Sequence, residues 1–178
     1  MTRVDQNHTI DSTRWSGFEP RAGDIIVTTS YKSGTTWTLG ILYRMLAPKE
    51  GVPPPAMDYW IDARMFPGEL GEQLAGLAAM PHRSALKSHR AADGLPIWPD
   101  VRYVVVGRDP RDVFMSLLNH YEQFTDFAYS RFNDTPGRVG DPLPRFDGDV
   151  LDDEALAPYE KVKRRLLPGD CAAWLETG

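Results

Sequence analysis

Short continuous apolar runs alternate along this chain with stretches of helical spacing, the rhythm of strands interleaved with helices. Asp24 to Thr29 is dominated by β-branched residues and bounded by turn formers, which predicts a short buried strand. Past Gly34, the residues Trp37, Ile41, Leu42 and Met45 recur at helical spacing and predict a helix with that apolar side. Glu69 to Met80 reads as a modest helix, and Ser84 to Arg90 as a short strand. Val101 to Val106, interrupted only by Arg102, reads as a further continuous apolar strand. A helix follows: Asp109 suits the N-cap, Pro110 the first position, and Asp112 stands where a capping-box acid would. Its apolar side is Val113, Phe114, Leu117, Leu118, Tyr121 and Phe124. The order predicts an α/β fold, a parallel sheet flanked by helices.

The remaining segments are less regular. Residues 1–20 are polar with scattered aromatics (Trp15, Phe18), and they are expected to wrap over the sheet. Pro48 to Met57 is a Pro-rich loop, followed by an aromatic segment from Tyr59-Trp60-Ile61 to Phe66. Arg131 to Val150 is rich in Pro and Gly and predicts a long loop. Leu156, Tyr159, Val162 and Leu166 form one helical stripe, stopped by Pro168-Gly169, before a final turn at Cys171 to Leu175. The expected division is a donor-binding domain over 1–148 and a helical tail over 149–178.

Composition narrows the classes. The 178 residues suit one α/β domain with a sizeable core. A formal net charge of −5 argues against a nucleic-acid binder relying on a broad basic face. No charged-then-apolar leader and no run of membrane-spanning length is seen, and Cys171 is the single cysteine. The expectation is a cytoplasmic protein without membrane attachment, in which the sequons at Asn7 and Asn133 carry little weight.

The chemistry gathers where predicted strands run into predicted helices. Tyr31 to Trp37 joins a strand to a helix start, so backbone N–H groups and the helix dipole can cradle a phosphate there. Lys32 adds a charge, Gly34 permits close approach, and Ser33, Thr35 and Thr36 add hydroxyl donors. An ordinary strand-to-helix turn with a surface Lys is the plainer reading of the same residues. The segment is not a Walker A loop, because its Lys precedes the Gly and no second Gly lies upstream. Arg108 falls at the carboxyl end of a strand, the edge at which open α/β sheets bind ligands; it could equally pair with Asp109 or Asp112. Alternation places Lys87 and His89 on one side of an extended chain, joining a cation to a base that titrates near neutrality. A lone His at a strand end is more often structural, and His82 and His120 both look structural or solvent-facing.

The three segments together resemble the soluble (cytosolic-type) sulfotransferases, in a bacterial branch. The phosphosulfate loop of that family, Tyr-Pro-Lys-Ser-Gly-Thr-Thr-Trp, is similar to Thr29-Ser30-Tyr31-Lys32-Ser33-Gly34-Thr35-Thr36-Trp37, with Tyr31 where Pro is usual. Its Lys-Thr-His element corresponds to Lys87-Ser88-His89, and its Arg-Asn-Pro-Lys-Asp-Val…Ser segment to Arg108-Asp109-Pro110-Arg111-Asp112-Val113 with Ser116. The resemblance implies a P-loop-type sheet and transfer of a sulfuryl group from 3′-phosphoadenosine 5′-phosphosulfate (PAPS) to a hydroxyl or amine of a small-molecule acceptor. It further implies PAPS as co-substrate and no metal. Lys32 would contact the bridging and 5′-phosphate oxygens, with Ser33, Gly34, Thr35 and Thr36 completing the cradle and Trp37 near the adenine. Arg108 and Ser116 would bind the 3′-phosphate. His89 would be the general base, and Lys87 would support the transferring group. Tyr59, Trp60 and Phe66 would be candidate walls of the acceptor pocket.

The family's Arg-Lys-Gly element, which closes over the 3′-phosphate, has no counterpart in this sequence. The fold is therefore expected to be abbreviated, transfer by this chain impaired, and an uncovered sheet edge or apolar face available for homo-oligomerisation. A catalytically weak binder of 3′,5′-phosphorylated adenosine and a P-loop kinase-like phosphotransferase are the alternatives.

Overall fold

The computed structural model describes residues 3–46, 59–65 and 69–146. The chain divides into two compact units, Met1–Pro144 and Arg145–Gly178, and the architecture below is that of the first. The stripe over Leu156 to Leu166, the Pro-rich loop and Phe66 lie outside the described residues.

Three parallel strands, β1 (Ile25–Thr29), β2 (Ala85–Ser88) and β3 (Arg102–Val106), form a sheet in the order β2-β1-β3. Ile25 lies opposite Ala85 on one side and Arg102 on the other, so all three carboxyl ends share one edge. Helix α1 (Thr35–Leu46) follows β1, α2 (Leu70–Ala78) precedes β2, and α3 (Pro110–Glu122) and α4 (Asp126–Asn133) follow β3.

Every residue of central β1 is buried. Its alternation feeds two cores. Ile26 joins Leu86, Trp15, Phe18, Ile61, Leu77, Leu95 and Val101, while Ile25 and Val27 join Ala85, Leu39 and Tyr43. Burying a side chain such as Ile26 or Leu86 stabilises the fold by about 1.5–3 kcal/mol. The N-terminal segment wraps over the first core through a 3₁₀ turn, Ser12–Gly17, which presents Trp15 and is capped by Asp11.

One face differs from expectation. α1 does not bury Trp37, Ile41 and Met45, which are largely exposed; it buries Thr35, Leu39 and Tyr43. Polar anchors decide this rotation, because Tyr43 donates to the Ala85 carbonyl at 2.9 Å and the Thr35 hydroxyl meets that of Thr29. β3, although a continuous apolar run, has residues that are half-buried or exposed, with Val105 76% exposed. Its one strand partner among the described residues is β1. α3 likewise has no fully buried residue. The loop expected from Arg131 begins later: α4 runs through Asn133, capped by the Thr125 hydroxyl on the Ala128 N–H.

Candidate active site

The parallel register sets three short segments side by side: Ser30–Gly34 beyond β1, His89 beyond β2, and Gly107–Arg108 beyond β3. They border a cleft of about 660 Å³. Lys32, Gly34, Thr35, Thr36, Trp37, Lys87, His89, Arg108 and Ser116 all line it. Ser33 does not: it is buried, and its hydroxyl pairs with that of Ser30 at 2.5 Å, so it braces the loop.

The loop owes its shape to two residues with positive φ, Lys32 at 58° and Gly34 at 97°. Glycine takes that conformation without strain, whereas Lys32 does so at a cost of ~1–2 kcal/mol. Strain of this kind collects where function fixes the backbone. Space in front of Gly34 is open, since a Cβ there would meet nothing within 4 Å. α1 then begins at Thr35, and its first N–H groups lack intrahelical partners. An open, N–H-lined loop beside a lysine fits a phosphate or sulfate group.

Arg108 couples β3 to this loop. Its Nη1 donates to the Lys32 carbonyl at 3.1 Å, while its Nε lies 3.7 Å from Asp112, a solvent-exposed and weak pairing. The helix behind it is well capped: Asp109 accepts from the Arg111 N–H at 2.9 Å, and Pro110 is its first residue. Hydrogen bonds from the Arg111 side chain and backbone hold the Asp109 carboxyl down at about 2.

His89 is 4.3 Å from the Tyr31 ring in a stacked arrangement and 4.9 Å from Trp60 edge-on. Its Nδ1 lies 3.0 Å from the Thr29 carbonyl, which assigns the proton to Nδ1 and leaves the Nε2 lone pair free. Burial pushes its pKa down to about 4; the bond to Thr29 opposes the shift, and Lys87 adds to it. The ring is therefore neutral at pH 7. Lys87 Nζ sits 4.4 Å above the Trp60 ring. Beneath them, buried Asp62 accepts from Trp15 Nε1 at 2.8 Å and from the Ser88 hydroxyl at 2.7 Å, fixing the 59–65 segment to the end of β2. Burial pushes the Asp62 carboxyl above the usual range, against the pull of these hydrogen bonds.

Several cleft residues were not foreseen. His120 lines it, and its pKa is lowered, first by partial burial and then by Lys32 and Lys87. Its spacing four residues after Ser116, on one helix face, was the available signal. Asn7, His8, Thr9, Tyr31 and Phe132 also line the cleft. Of the residues expected to wall the acceptor pocket, Trp60 lines the cleft, whereas Tyr59 packs against the core and its backbone carbonyl accepts from the Lys87 N–H at 2.9 Å. His82 lies before β2, with Nδ1 3.0 Å from the Arg83 carbonyl. Among the described residues, no helix is long and apolar enough to cross a membrane.

Glycolipid sulfotransferases from two strains of Mycobacterium tuberculosis and from the BCG strain of Mycobacterium bovis are 38% identical over 110 residues, covering 61% of this chain. The chain spans about a third of the length of these relatives, the match covering 33% of each. The crystal structure of a mouse sulfotransferase complexed with PAP aligns over 73% of this chain and 41% of its own, with 20% identity and a TM-score of 0.49. The sulfotransferase domain family matches residues 22–139, well over half of the sequence, and the chain belongs to that family.

Proposed function

We propose that this chain binds PAPS in the cleft and transfers its sulfuryl group to a hydroxyl of a small-molecule acceptor, with a glycolipid as the acceptor class suggested by the names of its relatives. The observation that carries the reading is the convergence on one cleft of Lys32, Lys87, His89 and Arg108 at three strand ends, with Ser116 from α3.

In this reading the acceptor oxygen attacks the sulfur, and its proton passes to His89 Nε2. The bond between sulfur and the 5′-phosphate oxygen breaks, and the leaving phosphate keeps the electron pair. Lys32 and the N–H groups at the start of α1 stabilise that charge as it develops. Lys87 faces the transferring group, and Arg108 with Ser116 holds the 3′-phosphate. A base held neutral is ready to accept a proton, and the negative donor lifts its pKa toward the working pH.

Calorimetric titration with adenosine 3′,5′-bisphosphate and a radiolabelled-donor assay over glycolipid, phenol and alcohol acceptors test the reading. Saturable binding with preference over adenosine 5′-monophosphate, and labelled product, are expected. Equal affinity for the two nucleotides and no product would refute it.

A further inference from the structure

The candidate base is gripped from three sides: the Thr29 carbonyl at Nδ1, the Trp60 edge, and the Tyr31 ring, inclined only 30° to the imidazole. Tyr31 offers the imidazole a flat aromatic face. It immediately precedes Lys32, whose left-handed backbone sets the loop. Its side chain is also hydrogen-bonded to Thr9, and burial raises its pKa, so the phenol stays protonated.

We propose that Tyr31 is a positioning residue for His89: its ring fixes the imidazole plane with Nε2 toward the cleft and ties that orientation to the phosphate loop. This rests on His89 being the base. A hydrogen bond at Nδ1 alone leaves the ring free to tilt about that contact. A stacked face on one side and an edge on another remove that freedom. Tyr31 and Lys32 belong to one loop, so the same backbone that receives the nucleotide holds the base. The charged and titratable groups around the pair are Lys87 from β2, Lys32 from the loop, Asp62 and Arg90 near the end of β2, and His120 and Tyr121 from α3.

The test is an NMR titration of the His89 imidazole in the full chain, wild type against Tyr31→Phe and Tyr31→Ala, with kcat and nucleotide Kd measured alongside. Wild type should titrate at about 4. Tyr31→Ala strips one wall of the ring's burial and should raise the value by ~1 unit or more. It should also lower kcat by ~10-fold or more with the Kd for adenosine 3′,5′-bisphosphate unchanged, the split expected of a group that orients a base. Tyr31→Phe keeps the flat face and should restore both readouts. An unmoved His89 titration in Tyr31→Ala, or a Tyr31→Phe shift as large as that of Tyr31→Ala, overturns the proposal. If Tyr31→Ala does not fold, Tyr31→Leu takes its place with the same criteria. The titration needs neither donor nor acceptor, so a wild type without transfer activity would overturn the functional reading while the titration still decides this one.

Discussion

Replacing Lys32 with glycine should make this protein more stable and worse at binding nucleotide. Lys32 has φ 58°, in the region that costs a non-glycine residue ~1–2 kcal/mol. Glycine removes that strain but returns ~0.5–1 kcal/mol through the greater freedom of its unfolded chain. The net gain is ~0.5–1 kcal/mol, which for a chain of this size raises Tm by ~1–4 °C. The bond from Arg108 to the residue-32 carbonyl involves backbone and survives the change. Losing the ammonium removes a charge-assisted contact worth ~1.5–3 kcal/mol, or ~10–150-fold in Kd for adenosine 3′,5′-bisphosphate. Lys32→Ala is the control, because it loses the same charge and keeps the strain. Differential scanning calorimetry of the free proteins and titration calorimetry with the bisphosphate separate the two effects. A Lys32→Gly protein that melts no higher than Lys32→Ala would refute the strain argument. Unchanged affinity in both variants would refute the role of the charge.

Arg108→Ala should reduce affinity for adenosine 3′,5′-bisphosphate by ~10-fold or more and leave that for adenosine 5′-monophosphate nearly unchanged, as read by calorimetry. His89→Ala should lower turnover by ~10²–10⁴-fold in the radiolabelled-donor assay while nucleotide binding holds; an active variant would shift the base role to His120. Asp62→Asn tests the buried carboxyl, whose folded pKa is raised, so the native state holds its proton more tightly than the unfolded chain. Wild-type stability therefore falls as pH rises from the unfolded value of 3.8 through the raised one, and the asparagine removes that fall. Trp15 and Ser88 both donate to Oδ2, a position an amide oxygen can fill. Thermal melts from pH 4 to 8 should show Asp62→Asn gaining on wild type with rising pH; the opposite trend would exclude a raised pKa.

The strands were legible because β-branched runs bounded by turn formers admit few other structures, and the caps at Asp109 and Pro110 were legible because capping is local. The buried face of α1 was not. Tyr43 and Thr35 carry polar atoms, and the side-chain bonds that turn them inward reach β2 and β1, which spacing along one helix does not reveal. α4 was hidden because Pro and Gly further on masked the Thr125 cap. At the site, Lys32, Lys87, His89 and Arg108 could be named because each stands directly beyond or at the end of a strand. Tyr31 over His89, Asp62 beneath β2 and the Asn7–Thr9 wall depend on contacts between distant segments, which no local pattern encodes.

The pairing of β1 has a further consequence for how the chain is made. Ile25 needs both Ala85 and Arg102, the second of which is synthesised ~4–15 s later at ordinary translation rates of about 5–20 residues per second. Throughout that interval a strand destined to be buried at every position has only one or neither of its neighbours. During that interval β1 is an apolar segment open to capture by a holding chaperone. The bond from Arg108 to the Lys32 carbonyl can likewise form only after β3 has left the ribosome.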